Sequence, residues 1–219
     1  MKFGEKLDRP SSFFSLVIPR EGRHVLRCAL IPLGLAILVT TPILAQGREE
    51  RARHVIEVLD VQPGQTIADI GCGRGWLSVA IAQVVGETGR VYAVEINARW
   101  VDAMRERRIA NIVPIHSDAD DVKIPEDTLD IAVLHDVASH VEKSARKKFY
   151  ESVVHTLKPE GVLVVFGPHG KARALLADLR SYGWRPDGVD ELLARSDDDL
   201  DVQLKAGIRF RYRNWYRYY

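Results

Sequence analysis

Between Thr66 and Phe166 the chain alternates short apolar, β-branched runs with longer amphipathic stretches, and this constrains the fold more than any other feature. "TIADI", "RVYAVEI", "IVPIHS", "LDIAVLHD" and "VLVVF" have the length and composition of strands. "GWLSVAIAQVV", "ARWVDAMRERR", "KSARKKFYESVVHTL" and "KARALLADLRSYG" repeat with the period of helices. Gly86 closes the first of these and Asn97 caps the second. "KPEG" reads as the turn into the fifth strand. A further helix, "REERARHVIEVLDV", carries Ala52, Val55, Ile56 and Leu59 on one side and ends at Gln62–Gly64. Strands alternating with helices predict an α/β fold, a doubly wound parallel sheet with helices on both faces. Pro114 removes a ladder donor, which places its strand at a sheet edge. "GIRFRYR" alternates apolar and basic residues and predicts a last strand. "VDELLARSDDDLDVQL" reads as strand plus loop or as a short helix.

Ahead of this domain lie two other segments. Residues 1–27 follow neither helical nor strand periodicity and read as a poorly ordered lead. Residues 28–47, "CALIPLGLAILVTTPILAQG", carry no charge and are flanked by Arg27 and Arg48. Twenty such residues are long enough for a transmembrane anchor. A basic lead and the small residue Ala45 near the end also fit a signal peptide. Pro32 and Pro42 oppose a buried helix of the globular domain. The expected location is therefore membrane-associated, or exported to the periplasm or cell envelope. Arginines at both ends leave the orientation open. The third segment, 48–219, is the globular domain.

The functional signal lies in the turn after the first strand, Asp69-Ile70-Gly71-Cys72-Gly73-Arg74-Gly75. Alternating glycines allow a tight turn and close approach of a ligand. In open parallel sheets ligands sit at the carboxyl ends of the strands, where this turn falls. The dinucleotide fingerprint needs a small residue where Trp76 stands, so NAD and FAD are disfavoured. No phosphate-binding lysine loop follows the turn, which disfavours nucleoside triphosphates. Glu95 ends the second strand, where a carboxylate takes both hydroxyls of a ribose. Asp69 would repel phosphate and suit a cationic ligand. An adenosine-like, positively charged ligand satisfies these demands.

A net charge of +1 gives no bulk attraction for nucleic acid. The cysteines Cys28 and Cys72 offer no disulfide framework, and no Cys/His group has metal-ligand spacing. The basic run "EKSARKK" reads as a solvated helix face, with an anionic-membrane contact as the alternative.

From about Val55 to Pro168, roughly half the chain, the sequence resembles the class I S-adenosylmethionine-dependent methyltransferases. Asp69, Gly71, Gly73 and Gly75 match that family's glycine motif, and Glu95 its ribose-binding acid. "HSDADDVKIPEDTLDIAVLHD" is similar to its third and fourth motifs, and "LKPEGVLVVFGP" to the approach to its fifth strand. The resemblance implies about seven strands in the order 3-2-1-4-5-7-6, with S-adenosyl-L-methionine as cofactor. It also implies that Asp118 and Ala119 sit at the adenine and Asp136 beside the methionine portion. In Asp136-Val137-Ala138-Ser139-His140 the acid and the last histidine match a D-x-Y-H-H segment of related bacterial proteins. Asp136 and His140 are the catalytic candidates, with His135 and His169 behind them; His116 reads as structural. The implied reaction is methyl transfer to a small-molecule or lipid-soluble acceptor. The alternative is a non-catalytic nucleoside-binding module tethered to, or exported across, the membrane.

Overall fold

A computed structural model describes residues 49–167, 171–182, 199–203 and 209–214. The helix α1 covers residues 49–59 and buries Ala52, Val55 and Leu59. It ends where Asp60 turns into the left-handed region at φ 55°. There follow β1 (Thr66–Ile70), α2 (Trp76–Val85), β2 (Arg90–Glu95), α3 (Ala98–Glu106) and β3 (Ile112–His116). Then come β4 (Leu129–His135), α4 (Arg146–His155), β5 (Leu157–Gly167), α5 (Ala172–Ser181), β6 (Asp199–Gln203) and β7 (Arg209–Asn214).

The strands form one sheet in the order β3-β2-β1-β4-β5-β7-β6, as expected. All pairs are parallel except β6 with β7. The Pro114 strand, β3, is an edge. Crossover helices cover the sheet on two sides, so the core has two halves. Leu59, Leu77, Ile81 and Val85 pack with Ile67, Val91 and Val133 on one face. Phe149, Tyr150, Val153, Leu176 and Leu179 pack with Ala68, Leu134, Leu163 and Phe210 on the other. Each fully buried leucine or isoleucine there contributes about 1.5–3 kcal/mol.

Local capping follows the sequence. The Asn97 side chain accepts the Arg99 N–H at 3.1 Å, and Gly86 ends α2 at φ 69°. Three details differ from expectation. β2 stops at Glu95 and leaves Ile96 outside the sheet. α4 begins at Arg146, because Lys143–Ala145 form a turn. "KPEG" lies within β5 rather than before it: pairing jumps from Leu129–Leu157 to Ile131–Val162, with Glu160 at φ 68° absorbing the bulge. In the tail, the strand alternative holds at Asp199–Gln203, and "GIRFRYR" supplies β7.

No helix among the described residues is long and apolar enough to cross a membrane. The uncharged run 28–47 and the lead 1–27 lie outside the described residues, as does His169.

Candidate active site

The glycine turn is built from backbone strain that only glycine tolerates cheaply. Gly71, Gly73 and Gly75 have φ of 74°, 54° and 71°. A Cβ on Gly71 would collide with Val137, and one on Gly75 with the Met104 methyl. Four of the turn's N–H groups are spent within the protein. Gly71 and Cys72 donate to the Val94 carbonyl, at 2.8 and 3.0 Å, and Gly75 donates to Cys72. Gly73 donates to Glu95 Oε2 at 2.8 Å.

Asp69 completes this arrangement from beneath. It is 2% exposed and accepts the Ser78 hydroxyl at 2.6 Å, at the start of α2. Burial raises its carboxyl to about 6, against the pull of the Ser78 bonds. Asp69 is absent from the lining of the cleft above the turn. It holds the turn and the helix start. With these amides satisfied and a carboxylate on Ser78, the turn offers little to a pyrophosphate.

Above the turn opens a cleft of about 1270 Å³. Glu95 is on its wall, only 6% exposed, with Oε1 accepting the Asn97 N–H at 2.9 Å. A carboxylate has about four acceptor sites. Two are taken by backbone N–H groups, which leaves two for the adjacent hydroxyls of a ribose. Ile96 and Trp100 flank Glu95 and are 57% and 40% exposed. They are the exposed large hydrophobics among the described residues, and they give the cleft apolar surface for a flat base. Arg51, Arg74 and Arg107 border the same cleft. Arg107 donates to the Arg74 carbonyl at 3.0 Å.

The carboxyl end of β4 forms the other wall, with His135, Asp136, Val137 and His140. Asp136 sits at φ 59°, a strained conformation for a non-glycine residue. Its N–H donates to the Phe166 carbonyl at 3.2 Å, which ties the turn to β5. The segment forms a turn, not a helix, and His140 N–H donates to the Val137 carbonyl. His140 Nδ1 lies 2.8 Å from the Asp136 carbonyl oxygen. A carbonyl only accepts, so Nδ1 carries a proton, and in the neutral ring the lone pair is on Nε2. Ser139 Oγ lies 3.3 Å from the same Nδ1. His135 is packed edge-on to Trp76 and against Phe166, both at 5.5 Å. Burial lowers its pKa, which keeps the ring neutral.

Asp118 and Ala119, expected at the adenine, lie in the loop after β3. Both are exposed, and neither is in the cleft lining. Asp118 is paired with Lys123 at 3.0 Å, and its N–H donates to the Asp121 carbonyl, so the loop closes on itself. His116 behaves as structural, its Nε2 bonded to the Ile96 carbonyl at 2.9 Å. The basic residues of α4 are largely paired: Lys147 with Glu151, Lys148 with Asp120, and Arg146 with Asp178. That arrangement is a solvated, self-neutralised face. Burial pushes the Cys72 thiol up, and no metal-binding cluster occurs among the described residues. Ile96, Trp100 and Arg107 line the cleft without a motif that marks them; only Ile96 and Trp100 lie close to Glu95 in sequence.

Residues 67–161 match the profile of the family described as "Methyltransferase domain". Over that stretch the chain carries a class I S-adenosylmethionine-dependent methyltransferase domain. The cofactor of this methyltransferase domain is S-adenosylmethionine, and the cleft, with its ribose-type acid and phosphate-averse turn, fits it. The chain is similar to the "Ubiquinone/menaquinone biosynthesis C-methyltransferase UbiE" of Hydrogenovibrio crunogenus, with 31% identity over 70% of this chain and 62% of the relative. The protein of the same name from Ectopseudomonas mendocina is 30% identical over 72% of this chain and 63% of its own length. The chain thus spans about three fifths of the length of these curated relatives. Among solved structures, a methyltransferase from Aquifex aeolicus superposes with a TM-score of 0.54 at 21% identity, covering 62% of this chain and 80% of that one. The [4+2]-cyclase SpnF superposes with a TM-score of 0.52 at 19% identity, covering 71% and 61%. A fold shared with a cyclase does not fix the reaction.

Proposed function

We propose that the protein transfers a methyl group from S-adenosylmethionine to a small, lipid-soluble ring acceptor. The observation that carries this reading is the Glu95 carboxylate, buried in the cleft wall with one oxygen accepting Gly73 of the glycine turn and the other Asn97 at the start of α3. When bound, the cofactor supplies a sulfonium methyl: a bond forms from the acceptor's nucleophilic atom to that carbon, and the carbon–sulfur bond breaks with its electron pair going to sulfur. The protein's own contribution is binding, orientation and proton management. Glu95 takes the ribose hydroxyls, with Ile96 and Trp100 beside the base. Asp136 stands at the junction of cleft and β4, near the methionine portion. His140 Nε2, its lone pair set by the Nδ1 bond to Asp136, receives the proton that the acceptor releases. Holding both reactants in one geometry supplies much of the remaining rate.

Identity with relatives named as C-methyltransferases of quinone biosynthesis supports a quinol-type ring, methylated at carbon. The uncharged run 28–47 supports anchoring of 48–219 to the membrane, or its export. Anchoring with the domain facing the cytoplasm would give it both a cytoplasmic cofactor and a membrane-dissolved acceptor. Incubating the full chain with methyl-labelled cofactor and short-chain quinols tests the reading. Label in the ring product supports it. Cofactor bound without label transferred to any quinol would favour the non-catalytic module.

A further inference from the structure

Beside the cofactor cleft lies a second, smaller cavity of about 230 Å³. It is framed by α4, α5 and the carboxyl ends of β4 and β5, with Tyr212 from β7. Asp136 is the lining residue that the two cavities share among the described residues, so the strained turn after β4 is the partition between them. The inner walls are apolar and partly aromatic: Ala138, Val165, Phe166, Leu175 and Tyr212. Even the narrow floor at Gly167 is shaped by Tyr212, whose hydroxyl would lie 2.6 Å from a Cβ there.

One feature of the lining has no structural explanation. Tyr150 is 1% exposed, and its hydroxyl has no hydrogen-bond partner. Leaving such a group unsatisfied costs about 1–3 kcal/mol, and a phenylalanine would fill the same space without that penalty. Burial raises the phenol's pKa, so the group stays protonated and able to donate. The nearby cation does not call for an anionic ligand. Arg146 is already bound to Asp178 at 3.1 Å and to the Val141 carbonyl at 2.9 Å. Lys171 and Ala174 are exposed at the mouth.

We propose that this cavity is the acceptor subsite, and that it takes one neutral aromatic ring whose hydroxyl or carbonyl oxygen accepts the Tyr150 hydroxyl. The proposal rests on the reading of the neighbouring cleft as the S-adenosylmethionine site. Size agrees with it: a cavity of about 150 Å³ holds benzene, so this one admits a ring with small substituents. A longer apolar tail would leave past Ala174 into solvent or a membrane surface. Arg146 and Asp178 act as positioning residues that hold α4 and α5 at the width of the ring.

The test uses the full-length protein loaded with S-adenosylhomocysteine, with hydroquinone as probe and toluene as the apolar control, read by saturation-transfer NMR. Hydroquinone is expected to bind more tightly than toluene. Tyr150→Phe should weaken hydroquinone about fivefold, one ordinary hydrogen bond, and leave toluene unchanged. Ala174→Trp, at an exposed position, should close the mouth and abolish both signals. S-adenosylhomocysteine affinity should stay at wild-type level in both variants, and without a ring ligand Tyr150→Phe should be at least as stable as the wild type. Wild-type protein that binds S-adenosylhomocysteine but not hydroquinone overturns the cavity assignment alone, and so does hydroquinone binding indifferent to both substitutions. Failure to bind S-adenosylhomocysteine overturns the cofactor reading instead.

Discussion

Glu95→Gln isolates the interaction on which the cofactor site depends. The substitution keeps the shape of the side chain but replaces one acceptor oxygen with a donor. In the wild type, both oxygens accept backbone N–H groups, from Gly73 at 2.8 Å and Asn97 at 2.9 Å. In the variant one of those N–H groups faces an amide NH₂, and the buried mismatch costs about 1–3 kcal/mol. The expected fall in thermal midpoint is about 2–12 °C for a domain of this size. Ligand binding suffers separately. A hydrogen bond to a charged acceptor is worth about 1.5–3 kcal/mol, so losing the charge should weaken S-adenosylhomocysteine by about tenfold to a hundredfold. Calorimetry and thermal unfolding on the same full-length sample measure the two effects independently. The stability loss reports the turn, and the affinity loss reports the ribose. A folded variant that binds S-adenosylhomocysteine within twofold of the wild type would refute the assignment of Glu95 to the ribose.

Other expectations follow from neighbouring residues. The folded value of Asp69, about 6, lies above the ordinary carboxylate value, so the folded protein holds that proton more tightly. Its contribution to stability is therefore present below about pH 4, lost as pH rises through about 6, and absent above that, on the order of 3 kcal/mol in all. Asp69→Asn removes this dependence: denaturation from pH 7.5 to 4.5 should show wild type gaining on the variant as pH falls, and parallel profiles would contradict the burial argument. His140→Ala should lower methyl transfer by about 10²–10⁴ with unchanged cofactor affinity; full turnover in a stable variant leaves positioning as the whole mechanism. The full-length chain should fractionate with membranes through residues 28–47, while recovery of uncleaved protein wholly in the cytosol would remove the anchor.

The parts of this fold that were readable from sequence are those set by short-range pattern. Buried parallel strands need unbroken apolar runs, and "IAVL" in β4 and "VLVVF" in β5 supply them. The glycine turn and Glu95 were readable because backbone strain and the end of a strand leave few residue choices. Loop closure was not. Asp118 depends on an ion pair with Lys123, five residues on, and on a backbone bond to Asp121; neither has a period. The start of α4 was misjudged for a similar reason: Arg146 reaches back to the Val141 carbonyl and leaves Lys143–Ala145 in a turn. Ile96 and Trp100 carry no sequence signal of exposure, since an apolar side chain beside a strand is usually buried. Only the assembled surface leaves them uncovered. Tyr150 read as an ordinary helix residue, and its unpartnered hydroxyl emerged only once α4 met α5 and the sheet.

The most direct test of the central claim is retention of methyl-labelled S-adenosylmethionine by the full-length protein in equilibrium dialysis, with S-adenosylhomocysteine and NAD as competitors. The account predicts retention, displacement by S-adenosylhomocysteine at comparable concentration, and none by NAD in large excess, because Asp69 on Ser78 and the self-satisfied turn refuse a pyrophosphate. No retention, or displacement by NAD, would contradict it.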